Sequence, residues 1–260
     1  MSYVPRVDAA MTAEWPDLVD ELDRWGSAGR IATAWWRDDD AVTWTPQLDA
    51  LLLLADGVPV GLAVIPSLVQ PELPKALGDW PNVAVLQHGW RHVNRAAQDK
   101  RSEYPAGRSA AAVSAELSAG RARLEALFGE RAAAVLVPPW NRFADEFLPL
   151  LGANGISAFS TMASPRKAPL PPGLAAIDVH VDLVDWRGDR GFIGAPAALG
   201  RLVGQLRAKR SDPAGSAGPV GILTHHLVMD PPSTAFLARL LAVTRGHPAA
   251  GWIAAAELLQ

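Results

Sequence analysis

Residues Val83–His92 read Val-Ala-Val-Leu-Gln-His-Gly-Trp-Arg-His, an apolar run that ends in two histidines four residues apart. A short apolar run is typical of a buried strand in a parallel sheet. If the chain turned helical after it, His88 and His92 would stack on one helix face and reach a single point. Neutral histidine is a common metal ligand, so the pair is half of a metal site. With six histidines in 260 residues, the spacing alone is weak support.

The rest of the chain repeats the alternation of apolar runs and helical segments. We find no sequence repeat and no linker long enough to divide the chain, so residues 1–260 are predicted to form a single α/β domain. The pattern favours a barrel of about seven parallel strands, with a doubly wound open sheet as the alternative. Glycine motifs that bind nucleotide phosphates are absent. The predicted strands are 31–36, 60–65, 83–86, 133–137, 156–161, 175–184 and 220–223.

Composition narrows the function classes. The formal net charge is −3 with dispersed basic residues, which argues against a nucleic-acid partner. There is no cysteine, so a metal would have to be held by histidine and carboxylate side chains. Residues Met1–Met11 do not resemble a secretory signal, and no apolar window is long enough to span a bilayer, so we expect a cytoplasmic protein without a membrane span.

Four predicted strands end in residues that carry chemistry. These clusters are Asp38–Asp40, His88 with His92, Pro138–Arg142, and His225 with His226. Because the carboxyl ends of parallel strands lie at one rim, we expect the clusters to converge. In isolation, Asp38–Asp40 also fits a solvated acidic turn or a helix N-cap.

Two histidines and one aspartate leave coordination positions open for water and substrate, as in catalytic metal sites. The residues between the histidines offer no general base, so an aspartate beside the ligand aspartate is the natural source. Of the adjacent His225 and His226, only one is expected to face the site, where it would protonate a leaving amine. Trp140 and Trp186 are next to polar clusters in the sequence. They are candidates for the apolar floor of a sugar site, and the alternative is that they belong to the hydrophobic core.

These residues give the chain a resemblance to the polysaccharide deacetylase (NodB-like) family of metal-dependent carbohydrate esterases. Five short motifs occur in the family's order between residues 31 and 226. They are Asp38-Asp39, His88 to His92, Val137-Pro138-Pro139-Trp140, Asp182-Leu183-Val184-Asp185-Trp186, and Leu223-Thr224-His225. The resemblance implies a distorted (β/α) barrel and the removal of N- or O-acetyl groups from sugars.

The resemblance also implies a role for each site residue. Asp38 would be the catalytic base and His225 the catalytic acid. One divalent metal ion, expected to be zinc, would be bound by Asp39, His88 and His92. Contacts to the substrate or the oxyanion would come from Pro139, Trp140, Arg142 and Trp186, with Asp40 and His226 as further candidates.

Several positions depart from the family pattern. Asp40 stands where the family has glycine, so the aspartate pair can also be read as Asp39-Asp40. Val137 replaces the arginine that would pair with the base, and Arg142 or Arg37 would have to substitute. His226 replaces an aspartate. These changes indicate a divergent branch, whose substrate is an acetylated sugar or a related small molecule.

The sequence therefore predicts a metal-dependent hydrolase that removes an acetyl or other acyl group from a sugar-containing substrate. One alternative is a metal amidohydrolase that acts on a non-sugar amide. The other is a carbohydrate-binding protein that has lost catalysis, which Val137 and Asp40 would explain.

Overall fold

The computed structural model describes residues 12–98, 100–166, 169–212 and 218–259. Residues Met1–Met11, on which the prediction about a secretory signal rests, lie outside these ranges. No helix in the described part of the chain has the length and apolarity that a membrane crossing requires.

Helices and strands alternate along the chain, as the apolar patterning predicts. The helices are α1 (Trp15–Ser27), α2 (Pro46–Ala55), α3 (Glu72–Leu77), α4 (Ala110–Phe128), α5 (Leu148–Ala153), α6 (Ala195–Ser211) and α7 (Pro231–Gly246). The strands are β1 (Ala32–Ala41), β2 (Val60–Val64), β3 (Val83–His88), β4 (Ala132–Val137), β5 (Ala158–Phe159), β6 (Ala175–Ala176), β7 (Val181–Asp182), β8 (Val220–Thr224) and β9 (Ala250–Trp252).

The strands are hydrogen-bonded in the order β6-β5-β4-β3-β2-β1-β8-β7, with β9 against β1. The pairs along β2 to β6 are parallel, as are β7 with β8 and β1 with β9. The α/β class with parallel strands is therefore confirmed. Nine strands occur in the described residues instead of about seven, because the segment 175–184 forms two short strands and residues 250–252 add another.

Contacts divide the chain into two compact units. The first comprises residues 1–37, 47–59 and 179–253, and its core packs α1, α6 and α7 on β7 and β8 around residues such as Leu22, Leu202 and Leu240. The second comprises residues 38–46, 60–178 and 254–260, with part of its core formed by Leu117, Leu136 and other buried residues. A single domain over residues 1–260 stays a prediction.

Strand β1 extends further than predicted. The sequence predicts a strand that ends at Trp36, but β1 continues to Ala41 and includes the acidic residues. Arg37 and Asp38 are fully buried and Asp39 is nearly so. The apolar run alone therefore underestimates the strand, because buried charges are accommodated at its carboxyl end.

Candidate metal centre

Asp40, His88 and His92 form a compact cluster in the second unit. The Oδ1 atom of Asp40 lies 3.0 Å from Nε2 of His88 and 3.3 Å from Nε2 of His92. One ligand atom from each residue lies within 4.8 Å of the others. Two imidazole nitrogens and a carboxylate oxygen form a typical donor set for a catalytic divalent metal, so these residues fit the predicted ion.

His88 is the last residue of β3, and Val137, the last residue of β4, is its partner in the parallel register. The Nδ1 atom of His88 lies 2.9 Å from the carbonyl oxygen of Val137. Since a carbonyl only accepts, Nδ1 carries the proton and Nε2 faces Asp40. Histidines that bind metals usually donate their second ring N–H in this way, which orients the ring.

The two imidazoles have opposite pKa shifts. Burial lowers the pKa of His88, but the Asp39 and Asp40 carboxylates outweigh this effect and raise it above its ordinary value of 6.5. For His92, burial and the charge of His88 together lower the pKa despite the nearby Asp40. Both carboxylates therefore act electrostatically on His88.

The histidine pair is not on a helix, so the helical stacking considered from the sequence is wrong. Strand β3 ends at His88, and residues 89–92 form a loop. Gly89 and His92 both have positive φ, at 60° and 56°. These turns bring the second imidazole back over the first, with ring centroids 5.1 Å apart.

Glu103 holds this loop through two hydrogen bonds, a role that no sequence motif indicates. Its carboxylate is fully buried and accepts hydrogen bonds from the backbone N–H groups of Trp90 (3.0 Å) and Arg91 (2.8 Å). Residues 94–108 are polar and interrupted by proline and glycine, which predicts only a long loop. A single glutamate in a polar loop carries no pattern that would have identified it.

The end of β4 and the segment that follows it surround the histidine loop with backbone groups and side-chain rings. Pro139 is buried against Gly89, and the ring of Trp140 lies 4.4 Å from the ring of His92. Arg142 points elsewhere, since its Nη1 donates to the carbonyl of Arg101 at 2.8 Å. Val137, in place of the family's arginine, serves the site through its carbonyl oxygen, which a valine supplies as well as any residue.

The geometry changes the preferred reading of the aspartates. Asp40, not Asp39, lies with the histidines, and its positive φ of 73° sets the direction of its carboxylate. Asp39 is 3% exposed and close enough to raise the pKa of His88. The alternative register, Asp39-Asp40, is therefore the one that the geometry favours over Asp38-Asp39.

In the first unit, the residues of the fourth and fifth motifs lie together. His225 follows β8 and is 8% exposed, and Trp186 packs edge-on against it with ring centroids 4.8 Å apart. The indole N–H of Trp186 donates to the Asp182 carboxylate at 2.8 Å. His226 is buried and begins a short 3-10 turn.

A cavity of about 420 Å³ opens among the segments that follow β3, β4 and β5. Its lining combines aromatic residues with hydrogen-bonding ones, among them Tyr104, Phe143, Asn141 and Arg142. Both the size and the position at the carboxyl edge of parallel strands are usual for small-molecule sites. Its lining includes Asn141, which follows directly after Trp140, and the ring of Trp140 contacts that of His92.

No protein-family model matches the chain, and no curated relative matches its sequence. Solved structures do match. A family 4 acetyl xylan esterase from Clostridium thermocellum, in complex with a cobalt ion, is 12% identical with a TM-score of 0.53 over 87% of this chain and 89% of that one. The peptidoglycan deacetylase PdaC from Bacillus subtilis is 16% identical with a TM-score of 0.51 over 88% and 90%.

Puue allantoinase is 12% identical, with a TM-score of 0.61 over 88% of this chain and 89% of that chain. At such low identities the likeness concerns the fold. The predicted distorted (β/α) barrel, shared with polysaccharide deacetylases and family 4 carbohydrate esterases, is thereby confirmed.

Proposed function

We propose that this protein is a divalent-metal-dependent hydrolase that removes an acetyl or similar acyl group from a sugar-containing substrate. The observation that carries the proposal is the convergence of Asp40, His88 and His92, with the second nitrogen of His88 fixed by a backbone carbonyl. The deacetylases and esterases that share the fold support the choice of reaction.

Asp40, His88 and His92 would hold the metal ion. Zinc suits two imidazoles and a carboxylate, although the acetyl xylan esterase of similar fold contains cobalt. Such an ion would polarise the acyl carbonyl and lower the pKa of water. Asp39 is buried beside this cluster and would accept the proton of the attacking water.

The remaining roles are proposals from the motif pattern. His225 would donate a proton to the leaving group, and the indole of Trp186 against it would keep water from its ring. The backbone N–H of Trp140, in the segment that resembles the family's third motif, would stabilise the oxyanion. A cytoplasmic location stays a prediction.

A second candidate is a metal amidohydrolase that acts on a non-sugar amide. The TM-score of 0.61 to an allantoinase favours it, as does Val137 at the position of the family's arginine. This candidate uses the same three metal ligands, so substrate chemistry alone separates the two.

The test is acetate release from N- and O-acetylated sugars, measured beside ring opening of cyclic amides, with zinc-loaded protein. We expect acetate release that Asp39→Asn lowers at least 100-fold, in line with the loss of a general base. Asp20→Asn is the matched control, since Asp20 is exposed on α1. Ring opening without acetate release would favour the second candidate, and neither activity with tightly bound zinc would exclude both substrate classes tested.

A further inference from the structure

The loop Gly89–His92 is hydrogen-bonded on both sides. The N–H of Gly89 donates to the Val137 carbonyl at 3.0 Å, and its carbonyl accepts from the Gln87 side chain at 3.2 Å. The carbonyl of Trp90 accepts from the backbone N–H of Ser67 at 3.0 Å. The N–H groups of Trp90 and Arg91 donate to the two oxygens of the Glu103 carboxylate.

We infer that Glu103 is a positioning residue for metal binding, which fixes the loop so that His92 faces Asp40. The inference rests on the proposed function, because it assumes that the cluster binds a metal ion. The consecutive N–H groups of Trp90 and Arg91 donate to the two oxygens of one carboxyl group, so both oxygens act as acceptors. An amide in its place would set an NH₂ group against one N–H.

The geometry of His92 explains why such a clamp matters. His92 has a φ of 56°, a left-handed conformation that is uncommon for residues other than glycine and that the surrounding contacts have to support. Its side chain is 24% exposed, so packing holds it less firmly than His88, which is 2% exposed. If the loop relaxed, the distance of 3.3 Å between His92 and Asp40 would be lost first.

Glu103 is itself held in place. Its backbone carbonyl accepts a hydrogen bond from Arg108 at 3.1 Å, and Arg108 forms two bonds to Glu116, at 2.8 and 2.9 Å. The buried carboxylate is thus part of an ordered arrangement and is suited to act through the loop. Groups that orient metal ligands typically change metal affinity 10- to 100-fold when they are removed.

The experiment compares zinc affinity in the full chain and its Glu103→Gln variant by competition with a chromophoric chelator. The visible absorption of bound Co²⁺ is recorded for both proteins. We expect zinc affinity to fall 10- to 100-fold in E103Q and the Co²⁺ spectrum to change, with the circular dichroism of the folded state unchanged. A purely structural role of Glu103 would lower stability without altering the spectrum.

Glu21→Gln is the matched control. Glu21 is also a fully buried glutamate, but it pairs with Arg210 on the α1–α6 packing surface. This variant should lose stability and keep the zinc affinity and Co²⁺ spectrum of the unsubstituted chain. If E103Q fails to fold, Glu103→Asp keeps the charge, retracts the carboxylate by one methylene, and should weaken zinc binding at least fivefold.

Two results would overturn the inference in distinguishable ways. Zinc binding in folded E103Q or E103D within twofold of the unsubstituted chain would exclude the positioning role and leave the proposed function standing. If the unsubstituted chain binds no zinc or cobalt even after reconstitution, the proposed function fails, and the inference fails with it.

Discussion

Substituting Gly89 by alanine should disrupt the loop of the proposed metal centre, and the structure sets the size of the effect. Gly89 has a φ of 60°, and the left-handed region costs an alanine about 1–2 kcal/mol. The added Cβ would also lie 2.6 Å from Cδ of Pro139 and still closer to the Glu103 carboxylate. Overpacking of this kind typically costs about 1–3 kcal/mol. We therefore expect Gly89→Ala to lower the free energy of unfolding by about 2–5 kcal/mol.

Gly155→Ala separates the two contributions. Gly155 has a similar φ of 71°, but apart from its chain neighbours no atom of the described residues lies within 4 Å of the position that its Cβ would take. This control should lose only the conformational part, about 1–2 kcal/mol. The difference between the two variants then measures the contact with Pro139 and Glu103.

The assay is urea denaturation of both variants with linear extrapolation, followed by zinc titration. G89A should be the less stable by about 1–3 kcal/mol and should bind zinc more weakly, because the new methyl group displaces the carboxylate that holds the loop. Equal losses of stability in the two variants, with unchanged zinc affinity in G89A, would refute the reasoning about the close contact.

Three further predictions address individual residues. Asp40→Asn should reduce zinc affinity at least tenfold while Asp39→Asn changes it far less, and the reverse order in a chelator competition would restore the Asp38-Asp39 register. Arg142→Ala should leave zinc affinity within twofold, since its guanidinium bonds a backbone carbonyl, and a loss like that of D40N would disprove this. Burial, and to a lesser extent the charge of Lys209, lowers the pKa of His180 from 6.5 to about 3. Between these two pH values the unfolded chain binds a proton at His180 and the folded chain does not. The free energy of unfolding should therefore fall by up to about 1.4 kcal/mol per pH unit as the pH drops through that window, and His180→Asn should reduce this slope in urea denaturation at pH 6 and 5.

Composition and apolar runs are sufficient to predict the positions of the longer elements. Residues 109–128 are rich in Ala, Leu, Glu and Arg, which predicts a long helix, and the structure has α4 at Ala110–Phe128 with the Ser109 side chain as its N-cap. Strand β8 was predicted to end at Leu223 and ends at Thr224. The segment 175–184 was harder, because only residues 175–176 and 181–182 pair as strands. Alternation of side chains shows which residues face inward but does not show which backbone groups find a neighbour.

The register of the aspartates shows a different limit of sequence reasoning. Three consecutive aspartates offer a base and a ligand in two registers, and residue type does not distinguish them. The structure distinguishes them by the positive φ of Asp40, which takes its carboxylate out of the regular alternation of β1. Aspartate tolerates this conformation better than most residues, so its identity permits the turn without predicting it.

The spacing of the two histidines is compatible with two geometries, and the chain uses the less obvious one. On a helix, residues four apart meet because the helix itself repeats, and no other residue is needed. In the loop found here, His92 meets His88 because Gly89 turns at positive φ and Glu103 binds the next two N–H groups. The geometry of the proposed metal centre therefore involves a residue that follows the second histidine by eleven positions and belongs to none of the recognisable motifs. A chain that kept both histidines and lost this glutamate would still match the motif, but its second ligand would no longer be held in place.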